Sequence, residues 1–363
     1  MIAFIVGTTA ELIKIAPVYH ELVARGRSAE IWYTGQHVNE LPGVLGDLDL
    51  PAPAIWLVPE RGAKNLARTA QVPGWVLRLF RTVLSQRSEL RARLRSDSGT
   101  PIVLVHGDTF TTLFGSIIGR ILRAKVGHIE AGLRSGHLLH PFPEEINRKV
   151  TARLAYMHFA PGEIEARNLS RRRRVVVTGG NTVIDSVRLA LSKRAENPVA
   201  GLPDQYGVAT LHRFELVRDK QMYESALRVL KDASKRMPIV YFAGESEKAR
   251  LAEYGLESIF DEQFLLRDKL RYVEFLPVLS GARFVVTDSG GVQEECAHLG
   301  IPCAVHRVKT ERHQGIGHNV MLTGMDTDRL ANFLENVDDY RSRDTADAAR
   351  PSAVIVDVLE KLA

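Results

Sequence analysis

The chain has 363 residues, 45% hydrophobic and 25% charged, the balance of a globular protein of about two domains. No run approaches the ~20 apolar residues of a membrane helix. The apolar start Ile2–Val6 lacks the basic stretch and length of a secretory signal, and two cysteines, Cys296 and Cys303, exclude a disulfide framework or a four-thiolate zinc site. A cytoplasmic location is expected. The formal charge of +5 is scattered, apart from the block Arg171–Arg174, which reads as a solvated turn. A basic cleft for an anionic small molecule also fits, and neither nucleic acid nor membrane is expected as a partner.

In chain order, Ile2–Val6 reads as a first strand, followed by the turn Gly7-Thr8-Thr9-Ala10-Glu11. Leu12, Ile15, Ala16, Tyr19 and Leu22 then fall on one face of a helix. Strands are predicted at Ile102–Val105, Val126–Ile129 and Val175–Val177, with a helix over Thr111–Leu122. The polar segment Lys193–Pro198 and the following Gly201-Leu202-Pro203 mark a domain boundary. The pattern then restarts with Gly207–Thr210, Pro238–Phe242, Phe284–Thr287 and Pro302–Val305, and Ser352–Leu362 reads as a last helix. Continuous apolar strands joined by helices imply parallel sheets covered on both faces. The expected fold is α/β: two doubly wound Rossmann-like domains facing a cleft, over 1–193 and 204–345. The segment 346–363 is expected to pack back on the first domain.

The first loop carries one glycine, so the G-x-G-x-x-G pattern of dinucleotide binding is missing there, and Gly315-Ile316-Gly317 is not followed by a third glycine at the required spacing. No Walker lysine motif occurs. Polar clusters instead sit where strands end. Asp108, in His106-Gly107-Asp108-Thr109, follows one strand and reads either as a helix cap or as a functional carboxylate. Glu130, in His128–Gly136, ends the next strand, where a carboxylate must be paired or face a cleft, with Arg134 as one candidate partner. In Pro143-Glu144-Glu145, one glutamate is expected to be structural and the other to face the cleft. Crowding of Asp108, Glu130 and Glu144 would raise some of their pKa values toward those useful for proton transfer near neutrality.

In the second half, Thr287-Asp288-Ser289-Gly290-Gly291 follows a strand and opens a helix. The glycines admit a phosphate to the backbone, and the helix start offers N–H donors. A carboxylate one turn in is placed to take two ribose hydroxyls. His212-Arg213, after Gly207–Thr210, adds a base and a cation.

These segments resemble the non-hydrolysing UDP-N-acetylglucosamine 2-epimerases, a family with the two-domain fold of the B-type glycosyltransferases. The resemblance rests on His106–Thr109, Gly127–Ser135 (GHIEAGLRS), Pro143–Arg148 (PEEINR), Gly180–Asp185 (GNTVID), Thr287–Glu295 (TDSGGVQEE) and Thr310-Glu311-Arg312. It implies that Asp108, Glu130, Glu144 and His212 are catalytic. By the same resemblance Lys14, Phe275, Ser289, Gly290, Gly291 and Glu295 hold the UDP, and Gln36 and His37 mark a loop linked to allosteric activation; Arg134, Arg213 and Arg312 are further expected to bind substrate. The implied reaction removes the C2 proton, expels UDP from C1 to leave a 2-acetamidoglucal, and re-adds UDP with a proton on the other face. It calls for no metal or redox cofactor, and the family is commonly a homodimer. Departures fall at Thr9-Ala10, Phe214, Tyr241–Gly244 and His313-Gln314, where the family carries other residues. They predict retained elimination–addition chemistry and loss of the activator site. The alternatives are a glycosyltransferase of the same fold, an epimerase acting on a modified UDP-2-acetamido sugar, or a sugar-nucleotide-binding protein without catalysis.

Overall fold

The computed structural model describes residues 1–59, 65–66, 69–96, 99–136, 142–193, 200–341 and 349–362. The chain divides into unit 1, Met1–Leu189 with Ala349–Ala363, and unit 2, Ala190–Ala348. Most of the predicted boundary segment, residues 194–199, lies outside the described residues.

Unit 1 carries β1 (Ile2–Val6), β2 (Ala29–Tyr33), β3 (Ile55–Trp56), β4 (Ile102–His106), β5 (Lys125–Ile129), β6 (Met157–Ala160) and β7 (Val175–Val177). They form one parallel sheet in the order β3-β2-β1-β4-β5-β6-β7. Unit 2 carries β8 (Gly207–Thr210), β9 (Ile239–Ala243), β10 (Phe264–Asp268), β11 (Phe284–Thr287), β12 (Cys303–Val305) and β13 (Val320–Leu322). These are parallel in the order β10-β9-β8-β11-β12-β13. Two doubly wound α/β sheets are therefore present, as the apolar runs predict. The strands that the runs do not reveal are β2, β3, β6, β10 and β13. β2 opens on half-buried Ala29-Glu30, β10 closes on exposed Arg267-Asp268, and β3 has two residues.

All five residues of β1 and of β4 are buried, as expected for strands covered on both faces. Each buried Val, Leu, Ile or Phe contributes about 1.5–3 kcal/mol relative to exposure. In unit 1, Ile5, Trp32, Trp75, Leu79, Val103 and Val126 share one core, and the Trp75 indole N–H donates to the Thr34 carbonyl at 2.8 Å. In unit 2, Tyr223, Leu227, Tyr241, Phe264 and Phe333 pack together. There the Tyr241 hydroxyl lies 2.7 Å from that of Tyr223 and donates to the Leu211 carbonyl at 2.8 Å, fixing the backbone just before His212.

The first helix, Thr9–Ala24, starts with a capping box: the Thr8 hydroxyl accepts from the Glu11 N–H, and the Glu11 carboxylate accepts from the Thr8 N–H. The final helix, Pro351–Glu360, belongs to unit 1. Arg25, at the end of the first helix, holds Asp357 at 2.5 Å and Glu360 at 3.1 Å, and the Ser352 N–H donates to Asp185 at 2.8 Å.

In each sheet the winding reverses once, between β1 and β4 in unit 1 and between β8 and β11 in unit 2. Ligands of such sheets bind outside the carboxyl ends of the strands at that switch point. The loops there are Gly7–Thr8 and Gly107–Thr109 in unit 1, and Leu211–Arg213 and Asp288–Ser289 in unit 2.

Candidate active site

In unit 1 the helix after β4, Phe110–Ile121, is capped by Thr109, whose hydroxyl accepts from the Thr112 N–H at 3.2 Å. Capping is therefore not the task of Asp108. Its carboxylate instead accepts from Arg148, at 2.9 Å from Nε and 2.5 Å from Nη2. The Asn147 amide donates to the Asp108 carbonyl at 2.8 Å. Asp108 is thus gripped by the PEEINR helix, 40 residues on.

Glu130 follows β5 with a φ of +64°, a left-handed conformation that costs a residue with a side chain about 1–2 kcal/mol. It is 5% exposed. The Lys14 ammonium donates to its Oε2 at 2.8 Å, and His106 Nε2 lies 3.1 Å from the same oxygen. Its cation is therefore Lys14, not Arg134. Arg134 lies 3.8 Å from Glu145. Each of Asp108 and Glu130 meets a cation here. Gly132, with φ +95°, lets the loop turn against the helix Glu163–Asn168, where a Cβ would stand 2.3 Å from the Glu165 carbonyl oxygen.

The adjacent glutamates differ in burial. Glu145 is 1% exposed and takes the Ser135 N–H at 3.1 Å, with Arg148 at 3.5 Å and Lys149 at 3.7 Å. Glu144 is half-buried at the first position of helix Glu144–Leu154. Gln36 accepts from the Thr111 hydroxyl in the helix after β4 at 3.0 Å, and the His37 N–H donates to the Gly7 carbonyl in the loop after β1 at 2.7 Å.

Glu11, not singled out from the sequence, is a buried carboxyl whose pKa is raised by burial against the pull of its hydrogen bonds. It accepts from the Thr109 hydroxyl at 2.6 Å and from the Gly7 and Thr8 N–H groups at 2.8 and 2.9 Å. It welds the two switch-point loops together.

In unit 2, Asp288 is fully buried after β11. Its Oδ2 accepts the N–H groups of His212 at 2.8 Å and Arg213 at 2.7 Å, while Oδ1 lies 3.1 Å from His212 Nδ1. Burial pushes the Asp288 carboxyl up, opposed by the charge of His212 and by these N–H donors. The His212 side chain is 51% exposed. Ser289 caps the helix Gly290–Leu299. At Gly290 a Cβ would lie 2.7 Å from Arg312 Nε, so a side chain there would have to displace that guanidinium. Arg312, expected at the substrate, is itself buried and forms an ion pair with Glu294. Gly291 is open, with its nearest neighbour, the Ser289 hydroxyl, 3.8 Å from a Cβ.

Glu295 is 5% exposed and faces Tyr272, whose phenol pKa is driven well up by burial and then by that carboxylate. Phe275 is half-buried with its ring edge-on to Phe242 at 5.8 Å. A further residue, Arg307, follows β12. It is 6% exposed, and burial followed by the charge of Arg213 lowers its pKa. Its Nε and Nη1 are buried without a hydrogen-bond partner among the described residues, while Glu311 stands 3.6 Å away. A buried guanidinium in that state suits an anion. Only its position after a strand could have flagged it. Among the described residues no group of three or more His, Cys, Asp or Glu side chains could hold a metal ion, and no helix is long and apolar enough to cross a membrane.

Residues 24–353 match the family model described as UDP-N-acetylglucosamine 2-epimerase. The UDP-N-acetylglucosamine 2-epimerase of Methanocaldococcus jannaschii is 30% identical over 357 residues, covering 92% of this chain and 91% of that one. That of Escherichia coli is 31% identical over 362 residues, covering 94% and 92%. The crystal structure of UDP-GlcNAc 2-epimerase from Neisseria meningitidis bound to UDP-GlcNAc superposes with a TM-score of 0.81 at 29% identity, covering 99% of both chains. The paired α/β sheets and the polar strand ends thus place the molecule in the B-type glycosyltransferase fold class. This chain belongs to the UDP-N-acetylglucosamine 2-epimerase family.

Proposed function

We propose that this protein interconverts UDP-N-acetylglucosamine and UDP-N-acetylmannosamine by elimination and re-addition of UDP. The observation that carries the reading is Glu130, a carboxylate held on strained backbone at a switch-point strand end, between Lys14 and His106. Strain of this kind persists where the surroundings over-determine it, commonly at reacting groups. One of Asp108, Glu130 and Glu144 takes the C2 proton as the C1–O bond to UDP breaks and the C1–C2 double bond forms. In the return step a second acid places a proton on the opposite face of C2 while UDP adds back to C1.

Unit 2 supplies the nucleotide side in this reading. Arg213 and Arg307 are cations for the departing diphosphate, the N–H groups at Gly290 and Gly291 are its donors, and Glu295 takes the ribose. His212, oriented by Asp288, serves as an acid–base group beside it. The protein works in the cytoplasm as a homodimer, which light scattering on the purified protein reads directly.

Proton NMR with UDP-N-acetylglucosamine in heavy water tests the proposal. The manno isomer with deuterium at C2 is expected, and Glu130→Gln should abolish both isomer and label. Transfer of the sugar to an acceptor without C2 exchange would establish the glycosyltransferase alternative. UDP binding without either reaction would leave a binding protein.

A further inference from the structure

A polar pocket lies in unit 1 beside Glu145, which pairs with two of its lining cations. It is a cavity of about 270 Å³ whose rim carries Arg134, Lys149, Arg153, Arg171 and Arg172, together with Asn168. Its floor is apolar, formed by the buried Ala152 and Leu169. The arginine block, expected to be an idle solvated turn, is thus partly a wall of this cavity, while Arg174 stacks on the Tyr156 ring at 4.1 Å.

The charge around the pocket does not balance. Glu145 is the carboxylate at its edge, and it is shared by Arg134, Arg148 and Lys149. Arg153, Arg171 and Arg172 have no carboxylate partner among the described residues. Five cations line one cavity, and their mutual repulsion is relieved when an anion joins them. The effect reaches a neighbour: His158 is pushed down to about 4 by burial, then by His128, and further by Arg172 and Arg134.

We propose that this pocket is a binding site for a small phosphoryl anion, a diphosphate or a phosphate ester. Arginine dominates the rim, and its planar fork matches phosphate oxygens in pairs, where a lysine offers a point charge. More than one negative charge is needed to offset five cations, which disfavours a monocarboxylate. The lining carries no aromatic ring for base stacking, and the cations converge on a cavity rather than following a groove, so a nucleic acid strand fits poorly. The site also borders the loop leaving Glu130, because the Asn168 amide donates to the Gly132 carbonyl at 2.9 Å.

The test is calorimetric titration of the full-length protein, kept saturated with UDP so that the nucleotide site is filled. Inorganic pyrophosphate is one probe and mannose 6-phosphate the other. Binding of at least one is expected, with pyrophosphate alone indicating a free diphosphate and the sugar phosphate binding more tightly indicating an ester. Arg153→Gln with Arg172→Gln should weaken it by about tenfold or more, whereas Arg153→Lys with Arg172→Lys should weaken it less, because the charge stays while the paired geometry is lost. Both replaced side chains lie at the rim, and an unchanged melting curve confirms folding. No binding of either probe to the UDP-saturated protein overturns the proposal, as does equal binding by the Gln pair. Binding of single-stranded RNA with neither small probe overturns it as well.

Discussion

Asp288 holds His212 by two different atoms of the same residue: Oδ2 takes its backbone N–H at 2.8 Å, and Oδ1 lies 3.1 Å from its ring Nδ1. The backbone contact sets where the loop after β8 stands, and the ring contact sets which face of the imidazole is presented. A side chain half open to solvent is thereby oriented from a wholly buried anchor.

Asp288→Asn keeps the size of the anchor and removes its charge. A positioned acid–base group contributes about 10²–10⁴ in rate. Loss of orientation alone should cost part of that, about 10–100-fold in kcat with a small change in KM. Steady-state kinetics on the UDP-sugar read this, and an unaltered kcat would detach His212 from the reaction.

The neighbouring glutamates should part company. Glu144→Gln is expected to leave melting nearly unchanged and to cut kcat about 10²-fold or more. Glu145→Ala strips a buried carboxylate from Arg148, and breaking a buried pair costs about 3–5 kcal/mol, so Tm should fall by several degrees. Thermal unfolding and kinetics on both variants distinguish the two roles.

Gly132→Ala combines a left-handed φ with a Cβ placed 2.3 Å from the Glu165 carbonyl oxygen. Backbone must shift to relieve it, so a loss of about 2 kcal/mol or more is expected, with activity lowered because Glu130 is two residues away. Urea unfolding measures the first effect and turnover the second.

Acid should destabilise the fold through three histidines. His128, His158 and His306 are held near about 4 in the folded protein, chiefly by burial, against an ordinary value of 6.5. The unfolded chain therefore takes up protons first. Their contribution is intact above 6.5 and is lost as pH falls toward 4, by up to about 3 kcal/mol per histidine. Glu11 works in the opposite sense, since its raised pKa favours the folded state as it protonates. Melting curves between about pH 7.5 and pH 5 should show falling Tm, and His306→Asn should reduce the slope.

How much of this the sequence carries depends on the range of each interaction. Strands such as Ile102–His106 and Phe284–Thr287 are visible because burial on both faces makes them continuously apolar. β6 is hidden because His158, neutral and buried, reads as polar. Glu130 is visible as a carboxylate where none should be left alone. Its partner Lys14, 116 residues earlier, is not, because no local pattern links a helix face to a strand end. Asp288 lies inside a recognisable glycine-containing turn, but its task becomes plain only once β8 and β11 pair and bring His212 to it. The role of Glu11 is not read from the sequence: its capping box with Thr8 is local, but the bond it accepts from Thr109 spans 98 residues.

The return of the C-terminal segment to unit 1 has a consequence for biosynthesis. The helix Pro351–Glu360 buries Ile355, Val356 and Leu359, and its acids meet Arg25 near the start of the chain. Residues 190–348 all leave the ribosome before that helix does. The second unit can fold as soon as it emerges, but the first waits with an apolar face uncovered until residues 351–360 have followed. A nascent chain stalled short of residue 351 should therefore be the most chaperone-dependent and protease-sensitive form of this protein, although nearly all its reactive groups have already been made.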